Sequence, residues 1–368
     1  MHVVLRQELL SHALSTVSRI IRPQNTMAVL SGVELETHNQ TLQITATDLI
    51  TTLAATLPAD VRQPGRVVVQ AAVLSELIRR IPTATLTLDC EPSANDVVVA
   101  YGPNRMSLQS FSGNLPPPPA GESIEDTLVI EPGLLNRAAR SVLFACAKDE
   151  TRPILRGVLL QLEPGRLVLA AGDGVRLSQT WIPVPTYRGD HWALVLTAKT
   201  LLEAGRLNAG ESVTMGVSPT VVSVGTASVR LSSRPLDGTF PDFGRAIPQD
   251  YILHGRVRVA DLSGALERVN ILAARDRSGS VRLRYHDQRL ELSTAVADMG
   301  RAIEWVEFAG HGPELDLLFN PQYLSDAVKS LEGEDAILQF SGAQSPLRIQ
   351  DTSDLHYSHV LAPQRQLV

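Results

Sequence analysis

The chain repeats itself at a spacing of about 125 residues, which is the size of a domain and far longer than a solenoid unit. Leu30, Gly32, Val33, Leu35, Leu42, Ile44 and Asp48 return 125 positions later as Leu155, Gly157, Val158, Leu160, Leu167, Leu169 and Asp173. A third copy places Val281, Leu283, Leu290 and Leu292 a further 123 positions beyond Val158, Leu160, Leu167 and Leu169. In each copy the apolar residues alternate on either side of a short polar stretch. That pattern predicts two strands joined by a turn, with one buried face.

A helix is predicted ahead of each hairpin. Leu9, Leu10, Ala13, Leu14 and Val17 recur as Leu134, Leu135, Ala138, Ala139 and Val142, one apolar stripe at helical spacing. Leu262, Ala265, Leu266 and Val269 repeat it 252 positions after Leu10, Ala13, Leu14 and Val17. The third hairpin follows the first by only 248, so its link to the helix is four residues shorter. A second helix follows each hairpin, at Leu74, Leu77, Ile78 and Ile81, at Leu324, Ala327, Val328 and Leu331, and, less clearly, in TAKTLLEAGRL. Strand-like segments close each copy. The expected fold is therefore α+β, three tandem copies of a two-helix, multi-strand domain. Proline-rich punctuation at Pro116 to Pro119 and in FPDFGRAIPQD sets the borders, giving domains 1–120, 127–248 and 251–368.

Composition narrows the function. A chain of 368 residues is long enough for two or three cores. Cys90 and Cys146 sit in apolar runs without metal spacing and read as buried thiols in a reducing compartment. The N-terminus meets polar residues within a few positions, and no apolar run has the length of a membrane span, so the expectation is a cytoplasmic protein. P-loop, HExxH, CxxC and GxSxG patterns are absent, and the nine histidines show no metal-ligand spacing. No catalytic residue, metal or cofactor is expected. Asp48 and Asp173 could suggest paired-carboxylate chemistry, a metal-dependent nuclease for example, but equivalent aspartates at a strand end in successive domains read first as turn residues.

The net charge of −6 excludes a protein that holds nucleic acid by a globally basic surface. Basic residues nevertheless fall on the predicted helix faces opposite the apolar stripes, or close to them: Arg19, Arg22, Arg79, Arg80, Arg137, Arg140, Lys148, Lys199, Arg206, Arg268 and Lys329. If three like domains set these faces side by side, an acidic protein gains one cationic surface. Such a surface suits phosphate backbones without base recognition.

With these features in place, the sequence resembles the bacterial DNA polymerase III beta-subunit family, the sliding clamps, over nearly its whole length. The matching stretches are Ala46 to Leu49, Arg152 to Gly157, Asp173 to Leu177, Leu236 to Phe243 (LDGTFPDF), Phe319-Asn320 with Tyr323-Leu324, and Pro363 with Arg365. The resemblance implies a head-to-tail homodimer that closes a ring around duplex DNA, a processivity factor for DNA replication with no chemistry of its own. Implied partners are double-stranded DNA, a second copy, the DNA polymerase III alpha subunit, the clamp loader, and repair and translesion polymerases attached through short peptides. The implied peptide groove comprises Leu155, Gly174, Val175, Arg176, Leu177, Pro241, Arg245, Ile247, Asn320, Tyr323, Val360, Pro363 and Arg365. The implied dimer interface sets Ile271 and Leu272, just past the third domain's first helix, against Arg105, Met106 and Leu108 on an edge strand at 104 to 111. The chain departs from the family's usual residues at Val175 (commonly His), Gly172 (commonly Thr), Ala28 (commonly Pro), and Ala362 and Gln364 (commonly bulkier). The acidic cluster near 298 to 304 is thinned to Asp298 and Glu304, with Arg301 among them. An altered groove also fits a divergent second-copy clamp with different partners.

Overall fold

The computed structural model describes residues 1–22, 27–90, 95–119, 127–185, 187, 189–275 and 279–364. Its helices are α1 (Gln7–Val17), α2 (Ala71–Arg80), α3 (Leu134–Leu143), α4 (Ala198–Leu207), α5 (Val259–Ala273) and α6 (Pro321–Lys329). None of the described helices is long and apolar enough to cross a membrane.

All three repeated hairpins form, and they share one register. Leu35 stands opposite Ile44, Leu160 opposite Leu169 and Leu283 opposite Leu292, and all six side chains are buried. The repeat spacing is thus a register statement, because a slip of one residue would turn every apolar side chain outward. Each leucine so exposed would forfeit about 1.5 to 3 kcal/mol. In the third copy the turn residues Asp287 and Gln288 hold φ of 49° and 59°, the left-handed backbone that tight hairpin turns demand.

The predicted helix stripes are buried as well: Leu10, Ala13, Leu14 and Val17 on α1, and Leu262, Ala265, Leu266 and Val269 on α5. One boundary differs from expectation. The first copy leaves α1 at Val17 for a 3-10 turn over Ser18–Ile20, whereas α5 continues four residues beyond the equivalent point. Ile271 and Leu272 therefore lie in the last turn of α5, not past it, and the four residues that α5 gains come in addition to the four that the third link lacks.

The chain divides into two compact units. The first takes in the described residues of Met1–Asn136, Thr186–Gly189 and Glu203–Pro235. It holds a five-stranded sheet in the order Asp60–Gln63, His2–Arg6, Thr85–Asp89, Asp96–Tyr101, Asn104–Gln109. Its eight-stranded sheet runs Thr127–Ile130, Val213–Val217, Val222–Gly225, Val229–Ser233, Thr51–Pro58, Thr41–Thr47, Gly32–His38, Arg66–Gln70. The second unit takes in the described residues of Arg137–Pro185, Asp190–Leu202 and Leu236–Val368. Its nine-stranded sheet runs Ala193–Thr197, Gly157–Glu163, Arg166–Gly172, Arg176–Pro183, Ser358–Leu361, Leu347–Asp351, Asp335–Phe340, Leu253–Arg258, Ala309–His311. Its four-stranded sheet runs Gly300–Glu307, Arg289–Val296, Val281–His286, Leu315–Phe319.

The two largest sheets each cross a border between repeat copies, and both cross it the same way. The strand after the first copy's hairpin, Thr51–Pro58, pairs antiparallel with the last strand of the second copy, Val229–Ser233. The strand after the second copy's hairpin, Arg176–Pro183, pairs antiparallel with Ser358–Leu361, the last of the third. Two strands of these kinds remain, Gly300–Glu307 after the third hairpin and Asn104–Gln109 at the end of the first copy. Each is the edge of its sheet. The second edge is shorter than the expected 104 to 111, since Ser110 bridges Val69 and the Phe111 amide donates to the Val68 carbonyl.

Candidate functional site

The nine-stranded sheet borders an apolar cavity where Arg166–Gly172 turns into Arg176–Pro183. Asp173 makes that turn by accepting hydrogen bonds on Oδ1 from the Val175 and Arg176 amides, at 2.9 and 3.1 Å. Asp48 does the same 125 residues earlier, accepting from Ile50 and Thr51. Both aspartates are side-chain-capped turns, and among the described residues no group of three His, Cys, Asp or Glu is placed to hold a metal ion. Gly174 stands at φ +95°, and a Cβ there would come within 2.9 Å of the Arg152 guanidinium. Arg152 lies across the turn and donates to the Asp173 carbonyl at 2.8 Å.

Beneath the turn, the Arg176 guanidinium is almost fully buried between two carboxylates, Asp173 at 3.1 Å and Asp326 of α6 at 2.9 Å. Its carbon sits 4.0 Å from the centre of the Tyr323 ring and 5.7 Å from that of Phe144. A buried guanidinium needs this much company, because removing one partner of such a pair costs about 3 to 5 kcal/mol. Burial, then the Asp173 carboxylate, push the Tyr323 phenol above its ordinary range against the pull of Arg176. Asn320 caps α6, accepting from the Gln322 and Tyr323 amides at 3.0 and 3.2 Å, with Pro321 at the first helical position.

The cavity measures about 520 Å³, and Leu155, Leu177, Phe240, Pro241, Phe243, Pro248, Pro346, Val360 and Ala362 supply much of its apolar wall. Of the residues expected in the groove, Leu155, Gly174, Val175, Arg176, Leu177, Pro241, Arg245 and Val360 line it. Ile247 instead packs against the cluster of Leu159, Ala170, Leu177, Val195 and Val360. Asn320, Tyr323 and Pro363 do not line the cavity: Asn320 is engaged as a cap and Tyr323 on Arg176. Arg365 lies outside the described residues. Sequence reasoning missed Phe240, Phe243, Ala246, Pro248 and Pro346 as lining residues, along with Asp242, which pairs with Arg245 at 3.1 Å.

The basic residues expected to face nucleic acid are exposed apart from Lys199, which is half-buried. Five hold carboxylates: Arg22 with Asp48, Arg80 with Glu76, Arg206 with Glu203, Arg268 with Glu304 and Lys329 with Glu267. The solvent-facing pairs of Arg80, Arg268 and Lys329 are worth little and open readily to a competing anion, whereas Arg22 and Arg206 hold the buried carboxylates of Asp48 and Glu203. In the second unit Arg137, Arg140 and Lys329 line one cleft of about 220 Å³ with Ser141, Ser330 and Tyr357. The acids Glu332, Asp351 and Asp354 share it, so its charge is mixed.

At the expected interface, Arg105 and Met106 are exposed on the edge strand and Leu108 is half-buried. Met106 borders a hollow of about 310 Å³ lined by Val73, Leu77, Ile81 and Tyr101. Ile271 is 67% exposed and Leu272 half-buried. The other edge strand, Gly300–Glu307, exposes Ile303 and Trp305.

Three family models match the chain: DNA polymerase III beta subunit, N-terminal domain over residues 1–115, central domain over 129–242, and C-terminal domain over 244–365. The beta sliding clamp of Caulobacter vibrioides is 28% identical over 375 residues, covering 99% of this chain and all of that one. The solved sliding clamp of Caulobacter crescentus superposes with a TM-score of 0.92 at 28% identity, each chain fully covered. That of Bacillus subtilis gives 0.93 at 25% identity, again with both chains fully covered.

Proposed function

The chain belongs to the DNA polymerase III beta-subunit family, the DNA sliding clamps, and from that premise we propose that it closes as a head-to-tail homodimer around duplex DNA. In that state it tethers the DNA polymerase III alpha subunit and other factors through short peptides. The carrying observation is the pair of unmatched edges. Both internal borders join the strand after one copy's hairpin to the last strand of the next copy. Gly300–Glu307 and Asn104–Gln109 are the two strands that this rule leaves without partners. A second chain supplies each with its match, and because the two edges differ, the contact is heterologous and closes when two chains make it twice. Closure also removes two unpaired edges that would otherwise invite aggregation.

In this arrangement Ile271 and Leu272 of one chain seat against Arg105, Met106 and Leu108 of the other, beside the hollow at Val73, Leu77, Ile81 and Tyr101. The exposed arginines and lysines of the helices face the DNA, and the weak, solvent-facing ion pairs of Arg80, Arg268 and Lys329 permit sliding. The protein acts in the cytoplasm as a non-catalytic accessory subunit. Substituting Ile271→Asp together with Leu272→Asp converts the dimer to a monomer in light scattering, while circular dichroism stays that of the folded chain. A dimer that survives both charges rules out this interface.

The cavity around Leu155, Pro241 and Val360 is the peptide groove in this reading, an apolar cleft with a few polar anchors. Tyr323→Ala with Arg245→Ala weakens a fluorescent polymerase-tail peptide by about tenfold or more and leaves the dimer mass unchanged. Unaltered affinity would place the groove elsewhere.

A further inference from the structure

Resting on the ring closure proposed above, the repeat also says which residues meet across it. A row of facing residues runs through the strands of each copy: Val3, Leu88, Val99 and Met106 in the first, Leu128, Met215, Val224 and Leu231 in the second, and Gly255, Leu338, Ile349 and His359 in the third. Each row ends on the last strand of its copy. On the strand after each hairpin, Leu53, Ser178 and Ala302 are likewise equivalent, being the partners of Ala46, Ala171 and Thr294. Both internal borders join these two positions, Leu231 to Leu53 and His359 to Ser178. The same register at the ring closure sets Met106 against the partner's Ala302. Arg105 then faces the partner's Ile303, and Ser107 faces the partner's Arg301.

Charge makes that register consequential. Met106 shares the face of the buried Val97 and Val99, so Arg105 and Ser107 lie on the opposite face, as Arg301 and Ile303 lie opposite the buried Val306. Arg301 is exposed and, among the described residues, holds no carboxylate. Diagonal neighbours on antiparallel strands are about 7 to 8 Å apart, so the closure also brings the partner's Arg301 beside Arg105, a like charge. Asp96 offsets it. Its Oδ2 accepts from the Ser107 hydroxyl, which holds the carboxylate beside the residue that the partner's Arg301 faces, one strand spacing of about 4.8 Å away. Among the described residues Asp96 has no cation of its own.

We propose that Asp96 of each chain pairs with Arg301 of the partner subunit, an arrangement that favours association of this chain with itself over association with a clamp that carries an acid at that position. The family's usual cluster near 298 to 304 is acidic, and such a chain would set acid against Asp96. Like charges brought together across an interface reject the wrong partner. Each ring makes the contact twice, so the effect of one contact is squared in the dimer constant.

Sedimentation of the full-length protein at low salt should show Asp96→Arg and Arg301→Asp each raising the dimer Kd by about 25-fold, from about fivefold per contact, and by less as salt rises. The double variant should recover the parent Kd. A mixture of the two single variants gives a sharper reading. In a dimer of one with the other both contacts again join opposite charges, so native mass spectrometry should find the mixed dimer in clear excess over random pairing. Random mixing, or no recovery in the double variant, overturns the ion pair, while the closure stands as long as Ile271→Asp with Leu272→Asp still gives monomers. A dimer indifferent to those two aspartates removes the interface and the ion pair together.

Discussion

Loaded by its clamp loader onto a nicked circular duplex, the protein stays on the DNA through a high-salt wash and leaves once the circle is cut to a linear form. The size of the contrast follows from charge. A protein held by six to ten phosphate contacts loses about 10³ to 10⁵ in affinity between about 50 and about 200 mM salt. This chain carries a net charge of −6, and Arg22, Arg80, Arg206, Arg268 and Lys329 are already matched to carboxylates. Electrostatic retention should therefore collapse over that range on either DNA form. A closed ring behaves differently: on a circle it has no end to leave by, whatever the salt, and on a linear duplex it slides off. Gel filtration of the loaded complex before and after restriction cleavage reads the difference directly, and equal loss from both forms would exclude topological retention. The Ile271→Asp, Leu272→Asp variant serves as the internal control, since a chain that cannot close should be lost from the circle as well.

Much of this architecture could be read from residues alone, and the parts that could not have a common cause. Leu35, Leu160 and Leu283 were legible because a period of two and a fixed spacing carry through to the same rung of three hairpins. The turn role of Asp48 and Asp173 was legible because a side chain bonding its own backbone two and three residues on is a local matter. What was missed depends on which distant strands meet. Gly300–Glu307 reads as an ordinary alternating strand, and its importance as an edge emerges only from the order of the sheet. Phe240 and Phe243 lie in the LDGTFPDF stretch that the sequence singled out, but periodicity does not say which of its residues face the cavity, and Pro346 reaches it from a distant stretch of chain. Asp326 carried a weak signal: it is the only acid on α6 and lies three residues after Tyr323 on the same helical face. The burial of Arg176 explains why it found a partner there. The shorter third link was visible in the spacing, but the longer α5 was not, because extending a helix into a link leaves the number of residues between stripe and hairpin unchanged.

Lowering the pH should destabilise the protein well before its carboxylates titrate, and His359 is the reason. It lies on Ser358–Leu361 opposite Ser178, fully buried, with its ring 5.3 Å from that of Phe144. Among the described residues neither ring nitrogen finds a hydrogen-bond partner. Burial first, then the Arg176 charge, hold its pKa down at about 3 from an ordinary 6.5. The folded state thus keeps His359 neutral while the unfolded chain takes up a proton as pH falls below about 6.5, so stability is complete above that pH and declines toward about pH 3. At about 1.4 kcal/mol per pH unit, the loss between pH 6.5 and pH 4 is about 3 kcal/mol. Asp351, whose carboxyl is held below its ordinary value by hydrogen bonds from Ser353, Glu332 and Gly333 despite its burial, contributes stability that is in place above about pH 4 and is lost as pH falls further. His359→Leu removes both the titration and an unpartnered polar ring. The variant should be more stable than the parent by about 1 kcal/mol at pH 7, and the advantage should widen to about 4 kcal/mol at pH 4. Urea midpoints at fixed protein concentration across pH 7 to 4 measure this, and parallel pH profiles for the two proteins would mean that His359 is not the group that responds.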